Sequence, residues 1–375
     1  MKLISLFSGI LGLDLGFMEE GFEHRLALDI YPPAVQTIRA NFPGLPVINR
    51  DIYTVTTDEI LEAAGLRPGE ADVLTGGPPC QPFSTAGKRE GINGRKGQLV
   101  FEYLRVVREA RPKVFVFENV SGLVSQAERH ISFYERASKR EEELGREERL
   151  GSAFERIYGE FKGTGYALNM GVLNAADYGA PQKRKRLIII GARDGPPVPL
   201  PQPTHYPPSR STSAWQRPWV TLREALAGLP RKMEYTPLPE WGKYMEYVPP
   251  GGCWRDIPPG LQEKAMKGAI CSQGGRTGYF RRLAWDEPAP TLVTSPAMKA
   301  TALIHPEEDR PLSVEEYKRI QGFPDGYVLV GSTQVKYRLL GEAVPVQLSR
   351  ALARAVKGHL EGRACVAAVP SAARA

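Results

Sequence analysis

The sequence predicts an α/β fold, a doubly wound and mostly parallel sheet accompanied by a smaller irregular domain. Two observations predict it. In the first half, short apolar runs end at a turn and are followed by amphipathic stretches, again and again. After residue 195 that alternation stops and the composition changes. A chain of 375 residues, 42% hydrophobic and 24% charged, can bury one large core or two smaller ones and is neither disordered nor fibrous in type.

The elements follow in order. Residues 3–7 (Leu-Ile-Ser-Leu-Phe) form an apolar run that stops at Ser8-Gly9, and Leu13, Leu15, Phe17 and Met18 then recur at helical spacing. This reads as strand, glycine turn, helix. The same grammar recurs at residues 25–30, with a helix through Val35 and Ile38, and at 47–52, 71–75 and 113–117. Strands that alternate with helices imply parallel pairing. Residues 125–161 are dominated by Arg, Lys and Glu, with Phe133, Leu144, Leu150, Phe154, Ile157 and Phe161 loosely periodic, and read as a solvated helical excursion. Two apolar segments, 166–173 and 186–190, read as an edge hairpin that finishes the sheet.

Residues 196–300 carry 18 of the 33 prolines, all five tryptophans and an excess of five positive charges. A basic, aromatic, loop-rich segment suits a nucleic-acid reader. Helical periodicity returns at 313–321 and 346–360, so residues 1–195 plus 311–375 are assigned to the first domain and 196–310 to the second. The small-residue tail from Val366 is expected to fray.

The net charge of +7 and pI of about 9.1 favour a polyanionic partner without requiring one. Cys80, Cys253, Cys271 and Cys365 form no CxxC pair and have no matching histidine cluster, so neither a disulfide framework nor a metal site is expected. A reducing cytoplasm fits best. No apolar stretch reaches membrane-spanning length, and the expectation is a soluble, unexported protein.

Four segments carry candidate chemistry. The first is the turn Phe7-Ser8-Gly9-Ile10-Leu11-Gly12-Leu13-Asp14, where backbone can approach a cofactor; its spacing departs from GxGxxG. Asp29 after the second strand is placed to accept from ribose hydroxyls. Asp51 after the third can take an adenine amino proton while Ile52 covers the ring, which selects an adenosyl cofactor. Either acid could equally be a helix N-cap.

The second segment is Gly76-Gly77-Pro78-Pro79-Cys80-Gln81-Pro82-Phe83-Ser84, a rigid loop at the carboxyl edge of the sheet, where such folds bind ligands. An arbitrary cysteine is most often a buried small hydrophobe, but these flanks are prolines and polar residues, which suits a reactive thiolate. The third is Phe117-Glu118-Asn119-Val120 at another strand end. The fourth is Gln182-Lys183-Arg184-Lys185-Arg186, whose alternate arginines point to one side if extended. Each of these two could be no more than a solvated charge run. A nucleophile, a carboxylate and fixed arginines around one cavity are what conjugate addition to a pyrimidine needs.

In order and chemistry these segments resemble the C5-cytosine DNA methyltransferase family over nearly the whole chain. The resemblance rests on the Cys80 run, Glu118-Asn119-Val120, the pattern Gln182, Arg184, Arg186, residues 281–294 and residues 310–324 with their Arg319-Ile320-Gln321-Gly322-Phe323-Pro324 ending. Two positions depart from it: Leu11 where the family usually shows glycine, and Glu342, in Gly341-Glu342-Ala343-Val344-Pro345, where asparagine is typical.

The resemblance implies a fold of the S-adenosylmethionine-dependent methyltransferase type with a target-recognition domain, and no metal. It implies that cytosine is flipped from double-stranded DNA, that Cys80 adds to C6, that Glu118 serves N3, and that Arg184 and Arg186 hold O2 and the reacting loop. S-adenosylmethionine, leaving as S-adenosylhomocysteine, is expected against Phe7, Ser8, Gly9, Gly12, Leu13, Asp29, Asp51, Ile52, Pro78, Ala343 and Val344. Residues 84–99, with Ser84, Lys88, Arg89, Arg95 and Lys96, are expected to form a mobile basic loop that closes over DNA. Arg276, Arg281 and Arg282 are the recognition-domain candidates for guanine or phosphate. A prokaryotic cytoplasmic, nucleoid-associated monomer in a restriction-modification system, with a cognate endonuclease sharing the site, completes the expectation. A transfer-RNA substrate, a DNA-binding regulator without catalysis and a dinucleotide dehydrogenase are the other readings.

Overall fold

A computed structural model describes residues 1–79, 97–128, 143–207, 217–229, 233–271 and 278–363. Seven strands form one sheet: β1 (Lys2–Leu6), β2 (Glu23–Leu28), β3 (Val47–Ile48), β4 (Val73–Gly76), β5 (Val114–Val120), β6 (Ala167–Asn174) and β8 (Lys185–Ala192), in the order β3-β2-β1-β4-β5-β8-β6. The first five run parallel, and β8 is antiparallel to both β5 and β6. The edge hairpin is thus present, with β6 outermost. β3 is shorter than the predicted run because Asp51, whose carboxylate accepts from the Tyr53 amide at 3.2 Å, starts a 3₁₀ turn at Ile52.

Period-two alternation splits each strand between two faces. On β5, Phe115 and Phe117 face a core shared with α3 (Thr57–Ala64), α4 (Leu99–Ala110) and α5 (Ser152–Lys162). Val114 and Val116 face the other side, against α1 (Gly12–Glu19) and α10 (Val346–Leu360). The first and last of these helices are tightly joined. A side chain at Gly16 would strike the Arg350 amide, the Ser349 hydroxyl donates to Leu13 O, and Arg350 and Arg354 pair with Glu19 and Glu20.

A third core joins Leu11 and Leu15 to α2 (Pro32–Asn41), α6 (Leu222–Leu226), α8 (Val314–Gln321) and α9 (Thr333–Glu342), and takes in Leu283, Leu292 and Leu303. It therefore spans residue 310, where the sequence suggested a boundary. A separate small core holds Met245, Val248, Ile257, Met266, Phe280, Ala302 and Ile304, around α7 (Pro259–Met266). Arg310 enters α8 through a buried bidentate pair with Glu316 at 2.9 and 3.0 Å, while Glu316 also accepts from Ser313 N in a capping box.

Candidate active site and cofactor turn

The turn after β1 is backbone-driven. Phe7 and Leu11 sit at φ of 53° and 63°, a left-handed conformation that costs an L-residue roughly 1–2 kcal/mol each. Leu11 is the N-cap of α1, without a side-chain cap, and its side chain is fully buried. Glycine would relieve the strain there, and leucine offsets it by burial. Gly9, at φ +52°, would point a Cβ into open space, so a ligand can meet the backbone. Gly12 serves a different purpose from the expected one: a Cβ would lie 2.5 Å from Val344 O and 3.1 Å from Ala343 Cβ. It lets the Gly341-Glu342-Ala343-Val344-Pro345 segment seat against the turn.

Two further side chains of the turn face inward rather than toward a cofactor. Ser8 Oγ accepts from Leu28 N at 3.0 Å and lies 2.8 Å from Ser5 Oγ, and Leu13 packs into the α1/α10 core. Beneath them the buried Asp14 carboxylate accepts from Ser5 Oγ at 2.8 Å and Thr75 Oγ1 at 2.6 Å, which ties the ends of β1 and β4 together.

Asp29 is not the N-cap of α2, which is Tyr31. Its carboxylate accepts from the amides of Gly9 at 2.7 Å and Tyr31 at 2.8 Å, joining the turn to the end of β2. Burial pushes this carboxyl above its usual range, against the pull of those two amides. Asp51 does act as an N-cap, as described above. The role given to Ile52 is corrected: its side chain is 2% exposed inside the core and cannot roof a cofactor ring. Ile30, directly after Asp29, is 59% exposed and is the apolar surface on this rim. It reads in the sequence as one more strand residue, so nothing there marked it.

On the other side of β1, β4 ends at Gly76 and the chain turns through Gly77 and Pro78. A Cβ on Gly77 would meet Glu118 Oε2 at 2.8 Å, and Asn119 Nδ2 donates to Pro78 O at 3.1 Å. Glycine and asparagine thus press this loop against the end of β5. Cys80, Ser84, Lys88, Arg89, Arg95 and Lys96, which follow in the sequence, lie outside the described residues.

Register on the antiparallel pair sets Val120 opposite Arg186 and Glu118 opposite Ile188, which brings Arg186 to the Glu118 rim. Arg186 Nε meets Glu118 Oε1 at 2.7 Å with both side chains nearly enclosed. Burial raises the Glu118 carboxyl above its usual range, while Arg186 and then Arg184 oppose the rise.

Arg184 departs from its expected contact with the pyrimidine. It is 1% exposed, and its Nη1 and Nη2 donate to Leu292 O at 3.0 Å and Gly341 O at 2.8 Å. Gln182 is buried beside it and donates to Gln321 Oε1 at 2.6 Å, and Gln321 donates in turn to Leu340 O and Ala343 O. Arg184 and Gln182 therefore position the β7 segment (Gln182–Lys183) against α8 and the residue 341–345 segment.

Arg282 is corrected too. At 5% exposure it donates to Val248 O, Met245 O, His305 O, Glu308 O and Asp309 Oδ1, which makes it the polar centre of the small core and no DNA contact. Arg281 is half-buried, and that burial lowers its pKa. Arg276 lies outside the described residues. A cavity of about 420 Å³ opens beside Arg186, lined by Ser121, Asn174, Lys183, Lys185, Trp219 and Thr291. Among the described residues there is no cluster of three or more metal-ligating side chains, and no helix is long and apolar enough to cross a membrane.

Comparison with known proteins places the chain in context. A family model for C-5 cytosine-specific DNA methylase matches residues 1–358. The Type II methyltransferase M.Sau96I of Staphylococcus aureus is 34% identical over 96% of this chain and 76% of its own. M.PspPI of a Psychrobacter strain is 38% identical over 95% of this chain and 78% of its own. Among solved structures, the S. pombe Dnmt2 methyltransferase superposes with a TM-score of 0.60 at 17% identity, covering 96% of this chain and 99% of that one.

Proposed function

The chain belongs to the C-5 cytosine-specific DNA methylase family, as a DNA cytosine-5-methyltransferase of the type II restriction-modification kind, and we propose that Cys80 and Glu118 carry its chemistry. The observation that carries the reading is the Glu118–Arg186 pair against Gly77, in the loop that leads to Cys80. In this reading cytosine is flipped from the duplex, which costs a few kcal/mol of stacking and pairing. The Cys80 thiolate adds to C6. Glu118, its carboxyl held above the usual range by burial, donates toward N3 as charge develops there, and Arg186 holds the pyrimidine O2 while orienting Glu118. Once C5 carries the methyl group, loss of its proton to water re-forms the C5–C6 double bond, expels the Cys80 thiolate from C6 and frees the enzyme. Arg184 acts through position alone.

S-adenosylmethionine is the family's methyl donor, and when bound it supplies an electrophilic methyl group. The open space before Gly9, the Asp29 carboxylate and exposed Ile30 fit an adenosyl group: Asp29 accepts from ribose hydroxyls, Ile30 covers the base, and Asp51 takes the amino proton. Residues 196–310 are proposed as the recognition domain, and Arg281 remains a candidate for DNA contact. Host-DNA protection by a cytoplasmic monomer beside a cognate endonuclease is the proposed setting.

Duplex DNA carrying 5-fluorocytosine tests the covalent step. A denaturation-resistant adduct should form with S-adenosylmethionine present and be missing in Cys80→Ser. Methylation of ordinary duplex by Cys80→Ser would overturn the role of Cys80.

A further inference from the structure

The cavity beside Arg186 is larger than a single pyrimidine needs, since about 420 Å³ falls in the range, roughly 300–1,000 Å³, of pockets that enclose whole small molecules. Its lining is chemically mixed. Trp219 stands half-buried on one wall, fixed by its indole N–H donating to Asp177 Oδ1 at 2.9 Å and by its amide donating to Tyr206 O at 3.0 Å. Lys183 Nζ lies 5.8 Å from the indole centre and pairs with Glu287 at 2.9 Å. Lys185, exposed on the same wall, makes no ion pair among the described residues.

Asn174 supplies a second kind of evidence, because its Oδ1 is buried and has no hydrogen-bond partner among the described residues. A buried polar atom without a partner costs roughly 1–3 kcal/mol, which a ligand's donor would recover. A flat aromatic face, an unpaired ammonium and an orphaned acceptor match three parts of a nucleotide: base, phosphate and exocyclic amine.

We propose that this cavity is a subsite for a nucleotide flanking the flipped cytosine, with its base on Trp219, its phosphate on Lys185 and a base amino group on Asn174. The inference rests on the DNA-methylating role proposed above for the Glu118–Arg186 rim and extends it to the neighbouring nucleotide. Stacking on an aromatic is tolerant of base identity, so Trp219 grips while the Asn174 acceptor selects. The Lys183–Glu287 pair holds the Lys183 ammonium over the Trp219 ring, 5.8 Å from its centroid.

The test uses the full-length enzyme on duplexes containing its target site. Wild-type 5-methylcytosine formation is measured first, and its absence would remove the parent reading rather than this one. Trp219→Leu should then raise the KM for DNA roughly tenfold or more, with the KM for S-adenosylmethionine and kcat unchanged, and Trp219→Phe should restore most of the loss. Lys185→Gln should lower the slope of log affinity against log salt by about 0.9, the value of one phosphate. The proposal is overturned if Trp219→Leu leaves the KM for DNA unaltered. It is equally overturned if Trp219→Phe fails to rescue, or if both KM values rise together, since either marks Trp219 as merely structural.

Discussion

Two arginine-bearing regions read alike in sequence and differ in the fold. The segment 182–186 and the segment 281–282 each present basic residues beside a strand-like run, and each is a natural candidate for gripping an anion. In the first, Arg186 holds the Glu118 carboxylate and the adjacent Lys185 O and opens onto a cavity. In the second, Arg282 spends its guanidinium on four backbone carbonyls and Asp309 and has nothing left to offer DNA. Arg184 sides with Arg282, though it lies two residues from Arg186. Burial on distant backbone carbonyls, as for Arg184 and Arg282 at 1% and 5% exposure, separates an arginine that builds from one that opens onto a cavity, as Arg186 does.

The largest effect should come from Arg282→Ala. It leaves several buried carbonyls without a donor, a loss on the scale of 3–5 kcal/mol, read by denaturant unfolding, and DNA binding should fall with the fold. Arg186→Gln should do the reverse: methylation slows by about 10²- to 10³-fold, with unfolding shifted by about 1 kcal/mol or less. If Arg186→Gln unfolds the protein as Arg282→Ala does, the contrast between the two regions collapses.

The pH profile sharpens the same contrast. Because burial holds Glu118 above its usual range and the role proposed for it needs its proton, the methylation rate should fall as pH rises through its pKa. The raised value also means that its contribution to stability is present at low pH and is lost through that same rise. Glu118→Gln should lose the alkaline limb of the rate profile and run slowly at every pH. The smallest effect belongs to the cofactor turn. Leu11→Gly relieves roughly 1–2 kcal/mol of left-handed strain and forfeits roughly 1.5–3 kcal/mol of burial, so thermal unfolding should show a net loss of about 1 kcal/mol.

The sheet was legible because its strands are short apolar runs of period two, as in Val114-Phe115-Val116-Phe117, where alternate residues feed opposite cores. β3 is shorter than its sequence suggests because Asp51 has the look of a strand end and instead caps a turn. The arginine roles were illegible for a reason of distance: the acceptors of Arg184 lie 108 and 157 residues away in the chain, on backbone that carries no signature. Ile52 and Ile30 fail together, since an apolar residue next to an acid reads the same whether it faces core or solvent. The boundary near residue 310 is drawn from composition and helical periodicity alone. Composition marks where prolines and tryptophans gather, whereas the core that holds Leu11, Leu283, Leu312 and Tyr337 ignores that line.

The close seating of α1 on α10 has a consequence for biosynthesis. The hydroxyl of Ser349 reaches an oxygen 336 residues earlier, and Gly12 and Gly16 leave no room for anything but the backbone of residues 343–350. At translation rates of about 5–20 residues per second, the glycine turn waits on the order of 15–70 s on the ribosome for the helix that completes it. A chain released before that point lacks the wall on which its first turn rests, so truncated products should be inert fragments rather than leaky modifiers of the genome.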